Sequence, residues 1–311
     1  MQYKMLFERY ADIDVLCELT ARHHANQMNF SPEFIADNAD ENLKPYAQMI
    51  CTADNFSSSE RDEEIEENVN YKTRNLSSVF SRLSICDDND ESLMSYKMNI
   101  LMPEHIFPTE ATQNLESANK EHILNFSAEM DLLKQNPPEK FEDFAIILDN
   151  ILKRYFWCVP SSSKDKIADV SLYDHLKTTQ AIAASLFHYH SQNNDFAKAS
   201  IGNKNVNKFK LVAGDFSGIQ NYIFAVSQTS TKGVAKRLRA RSFYVDAMVG
   251  VLSHYIVDSF NLTKTNILML TGGKFYILLP NLINSDEKLE EIAKETDGYL
   301  YKKFKGEISV N

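Results

Sequence analysis

Asp215 is the residue of this chain best placed to take part in phosphate chemistry. It follows the apolar run Leu211–Ala213, at the point where a strand would end. An aspartate at a strand–helix turn either binds a divalent metal ion or caps the following helix, and both uses stay open here. Phosphoryl transfer by two metal ions needs several oxygen ligands that hold the ions close together. A single aspartate does not supply them, so the sequence predicts nucleotide binding without turnover.

A pair of glycines, Gly272 and Gly273, lies between two apolar runs further along the chain. Glycine adopts positive φ at no steric cost, so the pair predicts the tight turn of a β-hairpin. The missing side chains would also let a nucleotide approach the backbone closely. The next residue is Lys274, where a cyclase would carry further acids. The strand, the hairpin and the helices between them outline a nucleotidyl-cyclase or polymerase palm without its catalytic tip.

A cluster of basic residues lies between these two features. Lysine and arginine occupy five of the ten positions 232–241, although the chain as a whole has a net charge of −10. This contrast favours a phosphate contact over an ordinary solvated helix face, and the N–H groups of a helix that begins at Ser217-Gly218 would add donors. Arg239 and Arg241 diverge by roughly 200° on a helix, so we expect one to meet phosphate and the other an ion pair or a partner. The residues predicted to bind nucleotide are Asp215, Ser217, Gly218, Lys236, Arg239, Arg241, Gly272 and Gly273.

A second set of candidate ligands lies near the N-terminus. His23 and His24, predicted to lie on a helix, are followed about 30 residues later by Asp54, a spacing found in HD-domain phosphohydrolases and nucleases. Imidazole and carboxylate groups hold divalent metal ions, whose bound water attacks a phosphodiester. The same residues also occur in ordinary helices, and spacing alone leaves that alternative open. The predicted catalytic and metal-binding residues are therefore His23, His24 and Asp54.

His175 is predicted to be a structural residue at the start of a long helix. Ser171 precedes it as a helix cap, and Asp169 and Asp174 favour the positive end of the helix dipole. The alternative, that the imidazole of His175 binds a metal ion, stays open.

These segments resemble the large subunit of the type III-A CRISPR (Csm) effector complex, from about residue 20 to the end and more vaguely between about 85 and 140. That family pairs an HD-type nuclease domain with two cyclase-like palms. The segments whose sequences match the family are Arg22–His24, Ala53–Ser58, Asp169–His175, Thr178–Ala183, Gly214–Gln220 and Leu238–Tyr244.

The resemblance implies an enzyme that is activated by target RNA. Its HD domain would cut single-stranded DNA with a divalent metal ion (Mn, Ni, Co or Mg), and its paired palms would make cyclic oligoadenylates from ATP as substrate. The implied partners are other Csm subunits, CRISPR RNA, target RNA and single-stranded DNA, with no membrane. The palm in this chain would be the first, non-catalytic one, which binds ATP.

The chain also departs from the family pattern. No His-Asp dipeptide occurs in the 22 residues before His23, and no Gly-Gly-Asp-Asp hairpin is present. We therefore expect a piece that is incomplete at both ends and has little activity of its own. The alternative is a catalytically inactive nucleotide-binding or structural subunit of a ribonucleoprotein. A separate GGDEF-type cyclase is disfavoured by Lys274 at the hairpin tip.

The elements that position these residues indicate an α+β chain. An all-α HD-type region is predicted over residues 1–85, a helical connector over 86–205, and a ferredoxin-like palm, incomplete at its last strand, over 206–311. In the palm, strand 209–213 is expected between the hairpin 266–279 and a strand that begins near Ile308. Its apolar run is expected to be covered on both faces of the sheet.

Composition excludes several other classes of protein. With a net charge of −10, a globally basic nucleic-acid binder is not expected. The four cysteines form no Cys-x-x-Cys pair, which favours neither a zinc site nor a disulfide framework and fits a reducing cytoplasm. No stretch of 18 apolar residues occurs, so no membrane span is predicted.

Overall fold

The computed structural model describes residues 2–25, 30–59, 74–82, 94–110, 115–162, 167–225 and 233–311. The chain divides into two compact units. The first unit consists of Met1–Arg22 and Asp54–Lys177, and the second of His23–Ala53 and Thr178–Asn311. The predicted boundaries near residues 85 and 205 stay a prediction. Among the described helices, none combines the length and the apolar character needed to cross a membrane.

The elements follow the predicted order, with mostly helices before residue 209 and a small antiparallel sheet after it. The strand expected at 209–213, the hairpin expected at 266–279 and the strand expected near Ile308 are found within a few residues of those bounds, and residues 226–232 lie outside the described residues. The elements are α1 Lys4–Phe7, α2 Ile13–Ala21, α3 Lys44–Ser57, α4 Leu115–Gln135, α5 Phe141–Phe156, α6 Leu172–Asn193, α7 Lys198–Ile201, β1 Phe209–Ser217, α8 Ile219–Phe224, α9 Val234–Ser259, β2 Ile267–Thr271, β3 Lys274–Pro280, α10 Ser285–Phe304 and β4 Ser309–Val310.

In the first unit, one core cluster is built around α4 and α5. Acidic residues in the first turn of α5 and basic residues in its last turn complement the helix dipole. The apolar stripe of α5 buries Phe144 and Ile151, whereas Ile147 is 39% exposed. The core residues are Leu6, Met130, Leu133, Phe144, Ile151 and Tyr155.

The sheet of the second unit has the strand order β2-β3-β1-β4. Strand β1 therefore lies between the hairpin and the last strand, as the sequence predicts. The β2–β3 turn is made by Gly272 (φ 57°) and Gly273 (φ 94°), which confirms the glycine hairpin. In the β1–β3 register, Asp215 pairs with Lys274 and Gly214 with Phe275.

The side chains on the two faces of this sheet are buried to different extents. Side chains alternate along β1, and Val212 and Phe216 pack into the main core of the second unit with residues of α9 and α10. On the other face, Leu211 is 61% exposed. The expectation that β1 is covered on both faces is therefore wrong at Leu211. The apolar run reflects one buried face of an antiparallel sheet, which often leaves its other face to solvent.

Candidate functional site

Asp215 lies inside a strand, because β1 extends four residues beyond its predicted end, to Ser217. The N-cap of α8 is Gly218, and no side chain caps this helix. The helix-cap alternative for Asp215 is therefore wrong. Its carboxylate instead faces the hairpin tip, where Oδ2 lies 3.2 Å from Nζ of Lys274. Both side chains are about half exposed, so the pair is accessible from solvent.

Two of the three glycines around this ion pair, Gly218 and Gly273, are required by close packing within the chain itself. A Cβ on Gly273 would lie 2.3 Å from Cδ1 of Ile219, and a Cβ on Gly218 would lie 2.0 Å from the carbonyl oxygen of Glu307. Gly272 differs, since a Cβ there would meet nothing within 4 Å. Packing thus accounts for glycine at 218 and 273, and positive φ accounts for it at 272.

Ser217 and Asp215 are also tied to the last strand. The backbone N–H and carbonyl of Asp215 both hydrogen-bond to Asn311 at 3.0 Å. The side-chain amide of Asn311 donates to Oγ of Ser217 at 3.2 Å. Strand pairing therefore brings Asp215, Ser217 and Gly273 together at one end of the sheet. Lys274 joins them, although the sequence prediction did not include it among the binding residues.

The two arginines of the basic segment have different surroundings. Arg241 donates through Nη1 to the carbonyl oxygen of Tyr222, and its guanidinium lies 4.6 Å from the centre of the Tyr222 ring. Arg239 is exposed, and its Nε donates within its own helix to the carbonyl oxygen of Ala235 at 3.3 Å. Lys236 is exposed on the same first turns of α9. Arg241 is thus engaged by α8, and Arg239 and Lys236 extend into solvent.

The hairpin tip does not fit a divalent metal ion. Such an ion needs several oxygen ligands, and the neighbour of the Asp215 carboxylate is an ammonium group. Throughout the ranges that the structure describes, no group of three or more histidine, cysteine, aspartate or glutamate side chains is spaced to hold a metal ion.

In the first unit, Asp54 is held by a histidine that follows it by 121 positions. Nε2 of His175 lies 3.0 Å from Oδ1 of Asp54, and Nδ1 of His175 lies 3.0 Å from Oγ of Ser57. His175 is buried, with 8% of its surface exposed. Asp54 and Ser57 are three residues apart on α3, so they lie on one side of that helix.

His175 lies in the first turn of α6, as predicted. Oγ of Ser171 accepts the backbone N–H of Asp174 at 3.0 Å and donates to its carboxylate at 2.7 Å, which confirms Ser171 as the cap. The contact of His175 with Asp54 was missed, because no sequence spacing connects residues so far apart.

His23 and His24 belong to the second unit and lie beyond the end of α2, so their predicted place on a helix is wrong. Arg22 leaves the helical conformation (φ −100°, ψ 66°). His24 then forms an isolated parallel bridge with Ile35, and its ring stacks on Phe30 with centroids 3.6 Å apart. The ring of His23 lies 4.1 Å from that of His24. The two histidines belong to the second unit and Asp54 to the first. A metal site that combines the three residues therefore stays a prediction.

Comparison with known proteins places these features in a family. Residues 208–311 match the family model described as Csm1 subunit domain B. A Methanocaldococcus jannaschii protein named CRISPR system single-strand-specific deoxyribonuclease Cas10/Csm1 (subtype III-A) is 31% identical over 304 residues, which cover 84% of this chain and 35% of that protein.

Two solved structures share the fold. The crystal structure of Csm1 from T. onnurineus has a TM-score of 0.68 at 22% identity, over 99% of this chain and 39% of that one. A Csm1-Csm4 cassette in complex with one ATP has a TM-score of 0.61 at 23% identity, over 91% of this chain and 34% of that one. The chain spans little more than a third of the length of these relatives. By sequence and by fold, it belongs to the family of large subunits of type III-A CRISPR (Csm) effector complexes.

Proposed function

We propose that this chain forms an HD-type helical region followed by the first palm of a Csm large subunit, and that the palm binds ATP without turning it over. The observation that supports this proposal most directly is the strand order β2-β3-β1-β4, which puts Asp215, Ser217 and the glycine turn at one end of the sheet. A single carboxylate there favours binding and disfavours two-metal chemistry.

Charge and exposure support ATP as the ligand. Lys274, Lys236 and Arg239 are exposed cations in an acidic chain, and phosphate groups need such partners. The related Csm1-Csm4 cassette holds one ATP, which makes ATP the first ligand to test for this chain. Arg241 contributes indirectly, because its guanidinium is engaged by Tyr222. The N-terminus of α8 contributes little, because that helix has only six residues.

For the whole subunit we propose cleavage of single-stranded DNA by the HD-type region, as the name of the archaeal relative suggests. His23, His24 and Asp54 would supply imidazole and carboxylate ligands to a divalent ion, with Mn, Ni, Co and Mg as candidates. That ion would supply an activated water. His175 would hold the Asp54 carboxylate in place through the 3.0 Å contact.

The partners that we propose are other Csm subunits, CRISPR RNA, target RNA and single-stranded DNA, in the cytoplasm. Synthesis of cyclic oligoadenylates would take place in the complete subunit, where the ATP on this palm would be oriented as a substrate for a second palm. The alternative is a catalytically inactive nucleotide-binding or structural subunit. It would assemble with the complex, which would then make no oligoadenylate.

The test uses the full-length subunit assembled into its complex. Ser217→Trp would fill the end of the sheet, so we expect oligoadenylate synthesis to be lost while assembly and target-RNA binding persist. Ser191→Trp is the matched control, because Ser191 is exposed on α6 in the same unit. If Ser217→Trp blocks assembly and leaves ATP affinity unchanged, this surface is an interface and the nucleotide proposal is wrong.

The nuclease proposal has its own test. We expect this polypeptide by itself to degrade single-stranded DNA poorly, since no His-Asp dipeptide precedes His23. Manganese- or nickel-dependent cleavage that disappears in both His24→Ala and Asp54→Ala would contradict this expectation.

A further inference from the structure

The ion pair at the hairpin tip is fixed in position by the backbone. Asp215 and Lys274 are directly opposite each other in the β1–β3 register. Beyond them, the N–H of Phe216 donates to the carbonyl oxygen of Gly273 at 2.9 Å, which ties the strand to the turn. The Lys274 ammonium therefore lies beside the Asp215 carboxylate as a consequence of strand pairing.

Stability is a weak explanation for this pair. Ion pairs that are half exposed contribute little to the free energy of unfolding, because water screens both charges. The position of the Lys274 ammonium has a larger effect on which ions bind to the Asp215 carboxylate. An ammonium has no lone pair to offer a metal ion, and its positive charge repels a divalent cation from the same carboxylate.

We propose that the Lys274 ammonium takes the place of a divalent ion at this palm. It neutralises Asp215 and donates to phosphate oxygens of a nucleoside triphosphate, so that no ion binds to Asp215. An ammonium has three N–H donors, and the Asp215 carboxylate lies on one side of the Lys274 ammonium. The other donors are accessible, because 55% of the Lys274 side chain is exposed. The phosphate part of this inference rests on the proposed ATP-binding function, whereas the exclusion of metal from Asp215 does not.

The inference predicts that one substitution creates a metal site. Lys274→Asp would put a second carboxylate directly opposite Asp215, and cross-strand partners have Cβ atoms about 5 Å apart. Two carboxylates at that spacing are able to share one ion. Lys274→Arg, by contrast, keeps a cation beside Asp215.

The first experiment counts manganese ions bound by the whole chain, by electron paramagnetic resonance titration. We expect the wild type and Asp215→Asn to bind the same number, Lys274→Asp to bind one more, and Lys274→Asp combined with Asp215→Asn to lose that ion. If the wild type loses one manganese ion on Asp215→Asn, a metal ion already occupies Asp215 and the inference is wrong. A melting curve for each variant confirms that it is folded.

The second experiment measures ATP affinity with magnesium and with EDTA. We expect the wild type and Lys274→Arg to change by less than about threefold between the two conditions. Lys274→Ala leaves Asp215 to repel the phosphates, so its affinity in EDTA should fall about tenfold. Unchanged affinity in Lys274→Ala would overturn the phosphate contact. A wild type that binds no ATP in either condition contradicts the proposed function, and the manganese count still decides what occupies Asp215.

Discussion

Gly214 lies directly opposite Phe275 in the pairing of β1 with β3, and the phenylalanine ring covers it. A Cβ on Gly214 would lie 2.1 Å from Cζ of Phe275, whose side chain is 2% exposed. Because the ring is buried in the main core, it has little room to move. We expect Gly214→Ala to lower the free energy of unfolding by about 2 kcal/mol, measured by urea denaturation.

The control for this substitution is Gly298→Ala on α10. A Cβ on Gly298 would meet nothing within 4 Å, and alanine favours a helix over glycine by about 1 kcal/mol. This variant should therefore be as stable as the wild type or slightly more so. If Gly214→Ala unfolds at the same urea concentration as the wild type, the ring does not occupy the space above Gly214.

The contact between His175 and Asp54 gives a second prediction. Both ring nitrogens of the buried His175 have partners on α3, at 3.0 Å each. Replacing His175 by leucine should cost about 1–3 kcal/mol of unfolding free energy, because the partly buried carboxylate loses its donor. Ser57→Ala should cost less, since it leaves the contact with Asp54 intact.

A double-mutant cycle isolates this contact. The combined variant His175→Leu, Asp54→Asn should be more stable than the sum of the two single effects predicts, by about 0.5 kcal/mol or more. Strictly additive effects would mean that the two side chains do not interact.

His190 predicts a pH dependence of stability. It is fully buried on α6, its Nδ1 donates to the carbonyl oxygen of Asp195 at 2.6 Å, and in the described part of the chain Nε2 has no hydrogen-bond partner. Burial, with a smaller effect from the charge of Lys208, lowers the pKa of His190 below its usual 6.5. The unfolded chain therefore binds a proton at higher pH than the folded chain does, and stability is lost as pH falls below about 6.5.

The measurement is the unfolding free energy between pH 5 and pH 7.5. In His190→Gln the drop in stability below pH 6.5 should be smaller than in the wild type. An identical profile in His190→Gln and the wild type would exclude His190 as the titrating group.

Substitutions of the two arginines of α9 should have different effects, one on stability and the other on ATP binding. Arg241→Ala removes a hydrogen bond and a cation–π contact with Tyr222, so we expect it to lower the melting temperature. Arg239→Ala removes an exposed cation, so it should weaken ATP binding and leave the melting temperature within about 1 °C. The reverse pattern, with Arg239 needed for stability, would contradict these contacts.

Much of the fold follows from local sequence signals. Glycine at 272 and 273 predicts the hairpin, the apolar run Leu211–Ala213 predicts β1, and Ser171 predicts the start of α6. The position of β1 between the hairpin and β4 was also predicted, because the order of strands and helices allows few arrangements.

The contacts within the candidate sites follow less directly. The partner of Asp215 is decided by the β1–β3 register, and β1 was expected to end too early for that register to be seen. The contact of His175 with Asp54 joins residues 121 positions apart through the packing of two helices. Neither contact can be predicted from the spacing of the residues along the chain.

The central claim is that ATP binds at the end of the sheet where β1 meets the hairpin turn. Hydrogen–deuterium exchange of this chain, with and without ATP, tests it most directly. We predict slower exchange on ATP addition in residues 213–218 and 271–276, and loss of that protection in Lys274→Ala. Protection that is absent from both segments, or that lies only elsewhere in the chain, would contradict the claim.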